Sequence, residues 1–424
     1  MTNQVFSLSR RGLLAGLGGA ALAVGLRQPA MARAATSLTI RARLGTLAAG
    51  AMGSLPIGTL ETADPRPLRV ARGDLAVTLS NELPTPVVLN WLGVDGAPIA
   101  EPLTGQPPLA PGGRASFRLP LRRSGTFLIS GQLLGGSAAP VASRALIVED
   151  TPPVAVDRDE ILLIEQWRAK PGDTAVMYTV NGRTDFKLPA KGNERLRLRI
   201  INGCARAPLG LKIENHDVRV MAIDSAPAEP FIARDGQLVL APGTRIDALI
   251  DATRAPGTVS QIILHDGSKP QSIAQIVMTN DAPVRAAPLP PASAFPPENL
   301  PARLPLQGAQ RVDLSLDPKA PWIAPASFAA ATAPVFKVKR GRVVVMAVTN
   351  PGGGPMVFRW HGHHVRLLDK LDDGWKPFWL DTLMLDKGQT QRIAFLAEYP
   401  GRWLMEATAL TSGAPNLVSC YAVE

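Results

Sequence analysis

The 424-residue chain is predicted to fold as an all-β protein of three consecutive β-sandwich domains. Three observations predict this. Proline and glycine are abundant, at 40 and 38 residues, which favours many turns and short strands over long helices. A strand-like run ending on asparagine recurs three times. Each recurrence is followed by two glycine turns at nearly constant separation, and such self-similarity marks a repeated supersecondary unit.

The three runs cover 75–81, 196–202 and 343–350 and end on Asn81, Asn202 and Asn350. The first two alternate clearly, as strands with one buried face do. A loop, another strand and then a turn follow each: Leu109-Ala110-Pro111-Gly112, Leu240-Ala241-Pro242-Gly243 and Leu385-Asp386-Lys387-Gly388. Alternating strands come next, such as Ile246, Ala248 and Ile250, or Ile393, Phe395 and Ala397. Second glycine turns fall at Gly125, Gly257 and Gly401, which lie 13, 14 and 13 residues beyond the first. The domains are placed at 36–150, 151–282 and 306–424. The proline-crowded stretch 283–305 is expected to be a semi-rigid extended linker.

The first 34 residues have the layout of an address. Ser9-Arg10-Arg11-Gly12-Leu13-Leu14 precedes an apolar run to Leu26 and the small-x-small pattern Ala32-Arg33-Ala34. This is a bacterial export signal, and the paired arginines indicate the twin-arginine route. The run is too short and too rich in Gly and Ala to span a membrane. The mature chain is therefore expected to be periplasmic, without a transmembrane segment and monomeric. The formal charge is +10, and four of those positive charges lie in the signal. The remaining excess is too modest for a nucleic-acid partner. Two cysteines, Cys204 and Cys420, exclude a disulfide framework or a CxxC cluster.

The order of motifs resembles a three-domain multicopper oxidase. The markers are Asn202-Gly203, Glu214-Asn215-His216-Asp217, His361-Gly362-His363-His364, Trp379-Leu380-Asp381-Thr382 and Tyr399-Pro400-Gly401-Arg402-Trp403. The resemblance implies that each domain is cupredoxin-like, a Greek-key β-sandwich. It implies a blue copper in the third domain and a three-copper cluster between the first and third.

That chemistry requires ten histidines and a cysteine, but the chain has only five histidines. In the first domain the family's His-Trp-His-Gly falls on Asn90-Trp91-Leu92-Gly93, and the next histidine pair falls near Ser130 and Gln132. In the third domain the blue-copper histidine is Met356, the next ligand is Arg359, and His361 alone is kept. His363 matches a family histidine that is not usually a ligand. The His-Cys-His motif falls on Glu406-Ala407-Thr408, and the last ligand position is Ser412. Amides, hydroxyls and a guanidinium are poor copper ligands beside imidazole and thiolate.

The expected protein is therefore a non-catalytic binding or scaffold component of the cell envelope. It is expected to carry no cofactor and to have an envelope protein or cell-wall component as partner. The pattern is similar to the copper-free, twin-arginine-exported cell-division proteins of the FtsP/SufI kind. Two alternatives stay open: a multicopper-oxidase-type oxidoreductase that binds copper, and a copper-handling protein with one ion. The second would hold its ion through His361 and His363, which share a face if the segment is a strand, with help from Met346, Met356 or Met405.

Other residues are expected to be structural. His216 and His265 are assigned to turns, Cys204 and Cys420 to separate buried thiols, and the three methionines to core packing. The rings after Asp372-Asp373 are expected to pack on the sandwich, with a surface groove as the alternative. Arg195, Arg197 and Arg199 recur at period two, which indicates a solvated outer face open to anionic polymer or lipid.

Overall fold

The structure is a computed structural model that describes residues 37–134, 140–170, 173–267, 269–319, 321–368, 375–411, 413–414 and 416–424. The expected export signal, Ser412 and the acidic pair Asp372-Asp373 lie outside these residues. Helical structure among the described residues is confined to three single 3-10 turns. No helix among them is long and apolar enough to cross a membrane.

Six sheets pack as three sandwiches. In the first, a sheet ordered Ser54–Glu61, Ser37–Ala48, Gly73–Asn81 and Arg114–Leu121 faces Leu68–Val70, Arg144–Val148, Gly125–Leu133 and Val87–Leu92. The second pairs a six-stranded with a five-stranded sheet between Arg158–Trp167 and Gln271–Met278, and the third pairs two five-stranded sheets between Gln310–Ser315 and Asn416–Val423. Each sandwich encloses its own apolar core, built from the inward residues of alternating strands.

The repeated asparagine explains why the same motif was written three times. Asn81, Asn202 and Asn350 are fully buried. Each donates its side-chain amide to two carbonyls. The acceptors are Thr85 and Leu109, Ala207 and Leu240, and Gly354 and Leu385. In each domain the second acceptor is the leucine that opens the predicted turn. The turn glycine then returns its N–H to the asparagine carbonyl, from Gly112, Gly243 and Gly388. These glycines have φ of 73°, 92° and 74°, a region that costs other residues energy. The asparagine thus clamps the crossover between the two sheets.

The stretch 283–305 contains no regular element and lies along the second domain. Arg195 donates to the carbonyls of Leu289 and Pro290, Phe295 packs 4.7 Å from the Arg197 guanidinium, and Leu304 is buried against the third domain.

The arginine stripe is not a solvated face. Arg195, Arg197 and Arg199 are buried because Glu194–Asn202 runs between Arg158–Trp167 and Arg245–Ala252 inside the six-stranded sheet. Its outer side is covered by the linker and the first domain. Asp251 pairs with Arg195, Asp150 and Asp247 with Arg197, and Asp159 and Asp247 with Arg199. Thr126 of the first domain bonds both Arg199 and Asp247, so the stripe forms an interdomain ion-pair network.

Candidate functional site: the cavity between the three sandwiches

Seven of the positions aligned with copper ligands come together. Asn90, Leu92, Ser130, Gln132, Arg359, Glu406 and Thr408 line one cavity of about 310 Å3. Two paired strands of the first domain supply the first four, with Asn90 opposite Ser130 and Val88 opposite Gln132. Two paired strands of the third supply the rest, with Arg359 opposite Glu406. The second domain closes the cavity with Asn202, Gly203, Cys204 and Gly243.

An ion-pair network begins in the cavity wall at Asn90, Arg359 and Glu406. Asn90 Nδ2 donates to Glu406 Oε1 at 2.9 Å, and Arg359 donates to Glu406 Oε2 at 3.1 Å and to the Pro242 carbonyl at 3.1 Å. His361 Nδ1 lies 3.0 Å from Glu101 Oε1, and its Nε2 is 3.9 Å from Glu406 Oε2. Burial opposes charge on His361, but Glu101 and Glu406 outweigh it and push its pKa up to about 10. Burial would also raise Glu406, yet His361 and Arg359 hold it down at about 2. Two cations therefore face two carboxylates, and one network joins all three domains.

This donor set does not fit a copper cluster. One imidazole remains and its neighbour is a guanidinium, which carries no lone pair for a metal and repels a cation. Both oxygens of Glu406 already accept hydrogen bonds. Among the described residues, no three His, Cys, Asp or Glu side chains are grouped to hold a metal ion.

His361 and His363 do not share a strand face. The strand ends at Trp360, because Gly362 takes φ of 79° and has the Trp403 ring against it, where a Cβ would lie 2.2 Å from a ring carbon. His363 turns into the third-domain core. There its Nδ1 meets the Tyr421 hydroxyl at 2.7 Å and its Nε2 accepts the Tyr399 N–H at 3.0 Å. With both nitrogens engaged, it has no lone pair to offer, and burial lowers its pKa to about 3.

The blue-copper positions form apolar core. Met356 and Ala407 are buried in one cluster with Phe358, Trp360, Leu385 and Met405. Met346 and Met405 are fully buried there too. Trp379 packs beside Val343, Val345 and Leu368. His216 Nδ1 meets the Glu214 carbonyl, His265 Nδ1 accepts from the Gly267 N–H, and Cys204 and Cys420 are separate buried thiols.

Sequence reasoning missed a second interdomain cluster. His364 Nδ1 lies 2.9 Å from Asp95 Oδ1, and its Nε2–H donates to the Asp224 carbonyl at 2.6 Å. Arg123 pairs with Asp95, and Arg245 pairs with Asp381 at 2.6 Å. The nearest signal was His364 beside His361, but its partners lie 140 and 269 residues away in sequence.

Three cupredoxin-type sandwiches with a junction between the first and third define the architecture of blue-copper oxidases. Multicopper oxidase family models match residues 140–262 and 298–410, and the chain belongs to the multicopper oxidase family. It is similar to a multicopper oxidase from Pseudomonas thermotolerans, with a TM-score of 0.77 and 20% identity over 93% of this chain and 100% of that one. A laccase from Botrytis aclada superposes with a TM-score of 0.71 and 17% identity, over 91% and 87% of the two chains. At such identities the likeness carries the fold. Among curated proteins, Laccase-24 of Oryza sativa subsp. japonica is 29% identical over 44% of this chain and 38% of its own length. Laccase-9 of Arabidopsis thaliana is 26% identical over 50% and 39%. The chain thus spans about two fifths of the length of these relatives.

Proposed function

We propose that this protein is a multicopper-oxidase-fold component of the bacterial periplasm that has exchanged copper chemistry for binding. It acts as a non-catalytic scaffold or binding protein of the envelope, with an envelope protein or cell-wall component as partner. The observation that carries this reading is the Arg359–Glu406–Asn90 network. Where three cupric ions would require imidazoles, a guanidinium and an amide compensate a carboxylate, so its charge is met by protein groups. The paired Arg10-Arg11 support export by the twin-arginine route, and the missing ligands resemble the copper-free cell-division branch of the family.

The test is metal content. Protein purified from copper-supplemented cells should hold well under one copper per chain, show no blue thiolate absorption and take up no oxygen with phenolic or cuprous substrates. Three or four copper ions with oxygen uptake would overturn the reading in favour of an oxidase. One loosely held, colourless ion would overturn it in favour of copper handling. Envelope extracts passed over the immobilised protein should yield a specific partner that a Pseudomonas multicopper oxidase does not capture.

A further inference from the structure

The network engages Asn90, Arg359 and Glu406 of the lining, and other polar groups of the lining have no protein partner among the described residues. Ser130, Gln132 and Thr408 line the cavity. Their side chains have no hydrogen-bond or ion-pair partner among the described residues. Arg359 Nε is buried without an acceptor. Asn416 also lines the cavity and accepts from Arg206 through Oδ1. Thr408 is buried and Ser130 and Gln132 are half-buried, so their hydroxyl and amide groups can bond a guest that displaces water from the cavity.

We propose that this cavity binds one small uncharged polyhydroxylated molecule of sugar or polyol size. The inference rests on the copper-free reading of the same site.

Volume, charge and bonding character select that class. About 310 Å3 is at the lower end of small-molecule sites, which run from roughly 300 to 1,000 Å3. The charges balance internally, with Arg359 and His361 against Glu406 and Glu101. Arg359 already donates to Glu406 and to the Pro242 carbonyl, so an anion would compete with Glu406 for the guanidinium, and a cation would find carboxylate oxygens already used. Hydroxyl and carboxamide side chains both donate and accept, as sugar hydroxyls do. Leu92, Leu128, Val141 and Leu417 supply apolar wall for the C–H faces. Bound between strands of the first and third domains, the guest would bridge them.

The experiment is saturation-transfer NMR on the full exported chain. The probes are glucose, N-acetylglucosamine and myo-inositol, with sulfate-free buffer and with lactate and lysine as charged comparators. At least one neutral probe should receive saturation, and the signal should fall at least tenfold in Gln132→Leu and in Thr408→Val. Ser130→Ala, a smaller change that keeps the fold if the others do not, should weaken it about threefold. Met356→Ala, which lies outside the cavity lining, should leave it unchanged. Absence of transfer to all three neutral probes, transfer unaltered by the cavity variants, or preference for lactate or lysine would each overturn the proposal. Copper is counted on the same samples. A metal-free protein that binds no sugar refutes this inference alone, whereas stoichiometric copper refutes the functional reading beneath it.

Discussion

The two positions aligned with copper sites were refilled in opposite ways. The blue-copper position lies inside one sandwich and is now hydrocarbon, with Met356 and Ala407 packed among Phe358, Trp360 and Met405. The three-copper position lies between sandwiches and is now charge, with Arg359 and Glu406 lining a cavity and His361 beside Glu406. The difference teaches where a lost cofactor leaves room. A single domain core can close over a missing ligand set by repacking one cluster. A junction of three rigid domains cannot close without moving whole sheets, so polar groups span the gap and a space remains.

The largest expected effect tests the charged side. Glu406→Ala leaves Arg359 and His361 buried without their shared carboxylate and should cost about 3–5 kcal/mol in denaturant melts. The pair Arg359→Met with Glu406→Leu should cost less than either single change, because it removes both charges together. If the double variant is the least stable, the network contributes more than mutual compensation. On the apolar side, Met356→Ala should cost about 2–4 kcal/mol through a new void. Its stability deficit should not vary with pH between 4 and 10, which separates the two refills.

A third prediction uses that pH axis. His361 has a raised folded pKa, so its contribution is full below its ordinary 6.5 and is lost as pH climbs toward about 10. Glu406 has a depressed one, so its contribution is present above its ordinary 4.5 and is lost as pH falls toward about 2. Wild type should exceed His361→Gln by about 1–2 kcal/mol near pH 6, and the gap should shrink steadily toward pH 10.

The smallest effect concerns Glu165, behind the cavity wall made by Ser143 and Gly203. Burial pushes its pKa up to about 8, with the Ser143 N–H only partly offsetting it. Its folded value is raised, so stability is present below pH 4.5 and is lost as pH rises through about 8. Glu165→Gln should match wild type near pH 5 and exceed it by about 1 kcal/mol at pH 8.5. Equal melts at both values would show that the carboxyl is solvated through the cavity.

What was legible in the sequence was local. Asn81, Asn202 and Asn350 stand at fixed distances from their turns because the clamp acts within one crossover, and the three sandwiches followed from that spacing. The arginines at 195, 197 and 199 were misread because their acids stand on segments 40 to 56 residues away, which period-two spacing does not reveal. A shared face for His361 and His363 was conditional on a strand, and nothing in the sequence disclosed that Trp403 presses on Gly362. The refilled cavity could be seen residue by residue as missing histidines. That an arginine and a glutamate replaced them as partners required the register of Met356–Trp360 against Gly401–Ala409.

The first domain meets the third through the backbone as well as through side chains. Gly96 donates its N–H to the Gly362 carbonyl, and the Glu101 carboxylate accepts the N–H of Leu404. Synthesis proceeds from the N-terminus, so these early groups wait for about 260 to 300 further residues to leave the ribosome before they find their acceptor or donor. The closure of the first domain is therefore timed by the third, and only a chain translated past Leu404 can complete it.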